Sequence, residues 1–314
     1  MRLEKTAFIF PGQGSQYAGM GLEICENFEQ AEKTFFEADK ALNYPISKLC
    51  FHGPEEDLKL TYNTQPALLT VSTAIWEILK DNNIEPEAVA GHSLGEYSAL
   101  VCAGVIPFKD AVKIVRKRGE FMQDAVPVGM GKMAAVLNLP FEKVEEVINS
   151  VKEEGKVLSV ANINSPAQIV IAGHADIVEK AMGALKEAGA RRVVELPVSA
   201  PFHCELMKPA RENLAPFIDE VEFKKPAYRF YSNVTATSID NPDEIKERLK
   251  EQITSPVKWA QLIENMIEDG IDTFVEIGAG RVLSGLVRKI DRGVNILNIE
   301  DMSSLEKFLR FINE

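Results

Sequence analysis

Gly91-His92-Ser93-Leu94-Gly95 sets one serine between two glycines in the G-x-S-x-G spacing of a nucleophile elbow. Such a serine sits on a sharp turn from a buried strand into a helix, where small flanking residues let the backbone pass. The context suits this geometry. Ala88, Val89 and Ala90 read as a strand end, and Tyr97 to Ala103 are nearly all apolar, as in a helix buried on every side. The turn would expose the Ser93 Oγ, and the helix N-terminus would offer free N–H groups to a developing oxyanion. A glycine-bounded turn with a serine N-cap is the bland alternative, and the strand before with the buried helix after favours the nucleophile.

A serine nucleophile needs a base, and the chain holds four histidines. His92 adjoins Ser93, where neighbouring side chains diverge, so a packing or orienting role is expected. His52 and His174 lie in polar stretches that suggest the surface. His203, in Ser199-Ala200-Pro201-Phe202-His203-Cys204, is the best candidate by elimination. Pairing of Cys204 with His203 is discounted, because adjacent side chains rarely meet. Gly12-Gln13-Gly14 follows a strand but lacks both the dinucleotide fingerprint and the Lys-Ser/Thr of a P-loop. It could instead bring a backbone N–H to an anionic intermediate. Gly278-Ala279-Gly280 reads as a tight strand-to-helix turn.

Helical geometry singles out one more group. At 100° per residue, Lys109 to Val126 gathers Ala111, Val112, Ile114, Val115, Phe121, Met122 and Ala125 on one face, and Arg118 falls inside that arc. A guanidinium directed at the core must be paired. Two partners are open: an internal carboxylate in a structural salt bridge, or the carboxylate of a substrate held by two hydrogen bonds.

The elements that must hold these groups read as α/β. Thr6–Phe10 is an expected strand, followed by a helical stretch to about Leu42, irregular sequence through Pro54, and a helix from about Gln65 to Asn82. Between residues 129 and 197 the order is β-α-β-β-α-β. Its strands are expected at Met133–Leu139, Val157–Ala161, Gln168–Ala172 and Arg192–Leu196, with a turn at Asn162–Pro166. The expectation is a hydrolase-like parallel-sheet core made of residues 1–128 and 198–314, carrying an inserted ferredoxin-like domain at 129–197. In the C-terminal part, strands are expected at Arg229–Asn233, Thr273–Ile277 and Val294–Ile299.

Composition narrows the function class. A net charge of −12 argues against nucleic acid or an anionic membrane as the main partner. The four cysteines form no C-x-x-C pair, so neither a metal site nor a disulfide framework is indicated. The opening MRLEKTAFIFPGQG reaches a strand and glycine loop at once, with no secretory apolar core. No apolar run is long enough to span a bilayer, and a cytoplasmic location is expected.

Several segments, in order, resemble the malonyl-CoA:acyl carrier protein transacylase family of type II fatty acid synthesis. They are PGQGSQ at Pro11, TQPAL at Thr64, GHSLGEY at Gly91, RGEFMQ at Arg118, NINSP at Asn162, PFHCELMKPA at Pro201, SPVKW at Ser255 and EIGAGRVLSGL at Glu276. The resemblance implies ping-pong acyl transfer with no bound cofactor. Ser93 would take a malonyl group from malonyl-CoA, with His203 as base, and pass it to the phosphopantetheine thiol of acyl carrier protein. It further implies that the backbone carbonyl of Gln252 orients His203, that the N–H groups of Gln13 and Leu94 form the oxyanion hole, and that Arg118 binds the malonyl carboxylate. Phe202 departs from members with serine there; a phenyl ring leaves less room for an α-methyl branch, so malonyl is expected over methylmalonyl. His92 and Asn162 are further pocket candidates.

Other readings are a freestanding acyltransferase of a polyketide pathway, a serine esterase or thioesterase, and a non-catalytic carrier-binding module. Arg118 and the lack of an acidic third member argue against the esterase. A carrier protein is generally acidic, so docking on this acidic chain needs a local basic patch. Arg288, Lys289 and Arg292 are the candidates, against the alternative of a solvated helix end.

Overall fold

The computed structural model describes residues 1–198 and 200–313; Ser199, in the loop leading to His203, and Glu314 lie outside the described residues. Ten strands are formed among them: β1 Arg2–Phe10, β2 Glu85–Gly91, β3 Gly131–Leu137, β4 Leu158–Ser165, β5 Gln168–His174, β6 Arg192–Glu195, β7 Arg229–Tyr231, β8 Ser238–Ile239, β9 Thr273–Ile277 and β10 Asn295–Ile299. The larger sheet runs β10-β9-β1-β2-β7-β8 and is parallel except for the short antiparallel β8 at its edge. The α/β class expected from sequence is the one observed.

The apolar run in β1 shows why this sheet needs cover on both faces. Side chains alternate along a strand. Phe8 and Phe10 enter one core, where Phe8 meets Trp76 and Phe308 edge-on at centroid distances of 6.1 and 6.3 Å. Ala7 and Ile9 enter a second core with Trp259 and Met266. Full burial of each large side chain stabilises the fold by roughly 1.5–3 kcal/mol.

The smaller sheet is antiparallel, in the order β4-β5-β3-β6, with the helices Phe141–Val151 and Ala175–Glu187 on one face. That is the ferredoxin-like arrangement. Alternation again divides the work. Ala134, Val136, Ile169 and Ile171 build this unit's own core with the two helices. Met133, Ala135, Val170 and Ala172 point the other way, into the core shared with the large sheet.

Three local expectations are corrected. The stretch before Pro54 is not irregular: Ile46–His52 is a helix whose Ile46, Leu49 and Cys50 are buried at helical spacing, and a short helix Glu55–Leu58 follows. The expected continuous helix to Leu42 is two, Leu22–Asn27 and Glu29–Leu42, parted by the extended backbone of Phe28. The turn expected at Asn162 is strand. β4 continues because Val257 of the large unit bridges to Asn162, with Ile163 N–H donating to the Val257 carbonyl and Val257 N–H to that of Ala161, both at 2.9 Å. The bridge ties the small sheet to the segment that follows Gln252.

Candidate active site

The parallel strands β1, β2 and β9 end on one side of the sheet, and their loops carry Gln13, Ser93 and Gly278, the position at which open α/β sheets hold ligands. Ser93 joins β2 to the helix Gly95–Cys102 with φ +52°, a left-handed conformation costing about 1–3 kcal/mol in a residue other than glycine. Its neighbours must be small. A Cβ on Gly91 would lie 1.9 Å from the backbone of Gly95, and one on Gly95 would lie 2.0 Å from the Phe10 carbonyl oxygen. The Ser93 N–H donates to Asn233 Oδ1 at 2.8 Å, which fixes the turn from the loop after β7.

His203, also at positive φ (+58°), is buried, and its Nε2 lies 2.8 Å from Ser93 Oγ. Its Nδ1 lies 2.8 Å from the Gln252 carbonyl oxygen. A carbonyl only accepts, so Nδ1 carries the hydrogen and Nε2 keeps the lone pair that can receive the Ser93 proton. Burial, aided by the Arg118 charge, pushes the imidazole down to about 3. The histidine is therefore neutral and ready as a base at neutral pH.

The sign of that shift can be tested. The unfolded chain binds this proton below about pH 6.5, so the histidine's share of stability is complete above that value and is lost as pH falls toward 3. Imidazole NMR shifts of His203 are expected not to titrate between about pH 8 and pH 5; a midpoint near the ordinary value would contradict this geometry.

Arg118 lies in the helix Phe108–Asp124 and is 1% exposed. Two features seat it. Pro66, inside the helix Thr61–Asp81, has no N–H to give to the Tyr62 carbonyl, and Arg116 Nη1 takes that oxygen at 3.1 Å. Gly119 then lets the two helices close, since a Cβ there would sit 2.5 Å from Tyr62 Cα. Arg118 Nη1 donates to Gln65 Oε1 at 2.8 Å, and Nη2 donates to Gln252 Oε1 at 2.8 Å and Ser93 Oγ at 3.1 Å. No carboxylate pairs with it among the described residues, and its Nε has no partner. The structural salt bridge that sequence left open is therefore absent among those residues. The charge is held by neutral oxygens, Ser93 Oγ among them, and the Nε–H is left without an acceptor.

Gln13, Leu94, His92, Phe202, Asn162, Gln65, Met122 and Met133 line a cavity of about 110 Å³ around Ser93, Arg118 and His203. At roughly 30 Å³ per water this is the space of three or four waters, enough for a short acyl group. The backbone N–H groups of Gln13 and Leu94 have no acceptor among the described residues. Gly12 lets its loop press on the elbow, as a Cβ there would lie 2.5 Å from the His92 carbonyl oxygen. His92 does not face His203's partner. Its Nε2 meets Asn164 Oδ1 at 2.8 Å and its ring stands edge-on to Trp259 at 5.6 Å. His52 is an exposed helix end, and His174 accepts the Val157 N–H, so neither reaches the site. Cys204 turns away, its Sγ donating to the Pro201 carbonyl at 3.0 Å.

An adjoining cleft of about 350 Å³ shares Gln13, His92, Asn162 and Leu196 with the cavity and reaches Lys289. Beyond it, a depression of about 550 Å³ is bordered by Arg288, Lys289 and Arg292. A larger hollow, about 870 Å³, lies at the opposite ends of the strands, between Arg2, Glu87 and Arg229. Neither Ser93 nor His203 lines it.

No role for Gln65, Glu96, Asn164 or Asn233 emerges from sequence. The one readable signal is Glu96, a carboxylate in the first turn of an otherwise apolar helix. Its Oε1 accepts the Asn233 N–H at 3.0 Å and its Oε2 accepts from Gln252 Nε2. Burial pushes this carboxyl up to about 7, against hydrogen bonds from Asn233, Gln252 and Ser232 and the charge of Arg118, which pull it back.

A half-buried strand-turn-helix serine, a neutral histidine held by a carbonyl, and a buried arginine with no ion-pair partner among the described residues define an acyl-transfer site, and comparison with known proteins gives the same class. The model of the acyl transferase domain family matches residues 7–307. The chain is 49% identical over 312 residues to a malonyl CoA-acyl carrier protein transacylase of Bacillus subtilis, covering 99% of this chain and 98% of that one. It superposes with a TM-score of 0.95 on an acyl carrier protein S-malonyltransferase from Vibrio cholerae, at 45% identity over 97% of this chain and all of the other. A malonyl-transacylase solved in complex with a holo type II PKS acyl-carrier protein is similar at 43% identity and a TM-score of 0.94, covering 98% and 99%. The chain belongs to the malonyl CoA-acyl carrier protein transacylase family of acyl transferases.

Proposed function

We propose that this protein transfers a malonyl group from malonyl-CoA to the phosphopantetheine thiol of an acyl carrier protein, in fatty acid biosynthesis in the cytoplasm. The observation that carries the malonyl reading is Arg118: a buried cation beside Ser93, with no carboxylate ion-pair partner among the described residues and an Nε–H that has no acceptor there. A solitary buried guanidinium is costly, and an arriving carboxylate offsets that cost. The location draws support from the four free cysteines, which a reducing compartment keeps as thiols.

In the first half-reaction Ser93 Oγ gives its proton to His203 Nε2 and attacks the thioester carbon. The oxyanion takes hydrogen bonds from the Gln13 and Leu94 N–H groups. The carbon–sulfur bond breaks, and the CoA thiolate leaves with the proton from His203. In the second half the carrier thiol gives its proton to His203 and attacks the seryl ester, and Ser93 leaves by taking that proton back. Arg118 holds the free carboxylate throughout, and Phe202, at the cavity wall, leaves little room for an α-branch. A ping-pong mechanism requires parallel double-reciprocal lines for malonyl-CoA and carrier, with one equivalent of CoA released before carrier is added and further release only in its presence. Intersecting lines, or steady release to water without carrier, would overturn the reading.

The carrier is proposed to dock at the basic rim. Arg288, Lys289 and Arg292 are exposed, make no ion pair among the described residues, and border a depression next to the cleft that adjoins the Ser93 cavity. Reversing Arg288 and Lys289 to glutamate should raise the apparent KM for the carrier about tenfold or more and leave that for malonyl-CoA unchanged. An unaltered carrier KM would place docking elsewhere.

A further inference from the structure

Glu96 stands one residue away from each working part of the site. Its Oε1 holds the Asn233 N–H, and Asn233 in turn holds the Ser93 N–H through Oδ1 and the Gly91 carbonyl through Nδ2, at 2.8 and 2.7 Å. Its Oε2 holds the amide nitrogen of Gln252. The same nitrogen donates to the Ser93 carbonyl at 3.0 Å, which leaves Gln252 Oε1 turned to Arg118 and the Gln252 backbone carbonyl turned to His203. From the geometry we infer that Glu96 is a positioning residue that sets the orientation of the Gln252 amide and, through it, the malonyl-binding geometry of Arg118.

Donors and acceptors around Glu96 decide which way the Gln252 amide faces. Asn233 offers Glu96 a backbone N–H, which can only donate. Gln252 offers an amide that could turn either face. In its ionised form, which these N–H donors and the Arg118 charge favour against burial, Glu96 accepts on both oxygens, so it selects the Gln252 nitrogen and sends the Gln252 oxygen to the guanidinium. A glutamine at position 96 has the same size but one acceptor and one donor. Its oxygen must go to the Asn233 N–H, and its nitrogen then confronts the Gln252 nitrogen. Either the two donors repel, or the Gln252 amide turns over and presents N–H groups to the Arg118 cation. Both outcomes disturb Arg118, and neither requires the fold to change.

The proposal deepens the reading of Arg118 as the carboxylate clamp and rests on it, so Arg118→Ala is measured in parallel. The readout is kcat/KM for acyl-enzyme formation from malonyl-CoA and from acetyl-CoA in the full-length protein, with Tm alongside. Glu96→Gln should lower the malonyl-to-acetyl ratio about tenfold, in the range found for coupled neighbours. An unchanged ratio in Glu96→Gln, with the ratio collapsed in Arg118→Ala, overturns the role of Glu96 and leaves the clamp standing. An unchanged ratio in Arg118→Ala overturns the clamp, and this proposal with it. A purely structural Glu96 would lower Tm and reduce both substrates equally. If Glu96→Gln does not fold, Glu96→Asp replaces it; shortened by one methylene, its carboxylate can no longer reach the Asn233 N–H and the Gln252 amide together, so the Gln252 amide is again freed to turn. The same fall in ratio is then expected, and its absence again overturns the proposal.

Discussion

Replacing Ser93 with alanine should eliminate the acyl-enzyme and lower malonyl transfer on the order of ten-thousand-fold or more. Ser93 alone presents an oxygen 2.8 Å from the lone pair of a neutral His203, with the free N–H groups of Gln13 and Leu94 lining the same cavity. The variant should remain folded. The turn is held by the Asn233 contact to the backbone N–H and by Gly91 and Gly95, none of which involves the hydroxyl. Stopped-flow acylation and intact mass read the effect. A variant that still gains a malonyl group would move the nucleophile to another residue.

The second large effect separates charge recognition from chemistry. A bidentate pair between Arg118 and the malonyl carboxylate in a partly dry pocket should contribute roughly 2–5 kcal/mol. Arg118→Ala should then cut malonyl transfer by about two to three powers of ten, at 1.4 kcal/mol per tenfold. Acetyl-CoA has no carboxylate for the arginine to hold and should lose far less. Lysine restores the charge without the two-pronged edge, so Arg118→Lys should recover only part of the rate. Circular dichroism must show a folded variant, because Gln65 and Gln252 both lose a donor. Equal losses for malonyl and acetyl groups would return Arg118 to a structural role.

Local pattern singles out Ser93 and Arg118, and the structure brings them together. Ser93 stands in a five-residue motif whose glycines are demanded by contacts of the motif with itself and with β1. Arg118 is visible because helical periodicity puts a charge on an apolar face. His203 was reached by elimination among four histidines, and no periodicity marks it. Gln252 works through its backbone carbonyl toward His203, a role any residue could fill, so only the family resemblance pointed to it. Gln65, Glu96, Asn164 and Asn233 act by contacts between segments far apart in the chain, and their partners cannot be read from their neighbours in sequence. The same limit explains β4: Asn162-Ile163-Asn164-Ser165-Pro166 has turn composition, yet pairing with Val257 extends the strand through it. Tertiary pairing overrode local propensity there.

In the proposed mechanism one serine carries the malonyl group between two thiols. Its most direct test is the mass of the protein after a brief exposure to malonyl-CoA, with peptide mapping, followed by addition of phosphopantetheinylated carrier. The account predicts one malonyl group, on Ser93, that is stable without carrier and moves to the carrier thiol when carrier is added. A malonyl group on another residue, or one lost to water equally fast with and without carrier, would contradict it.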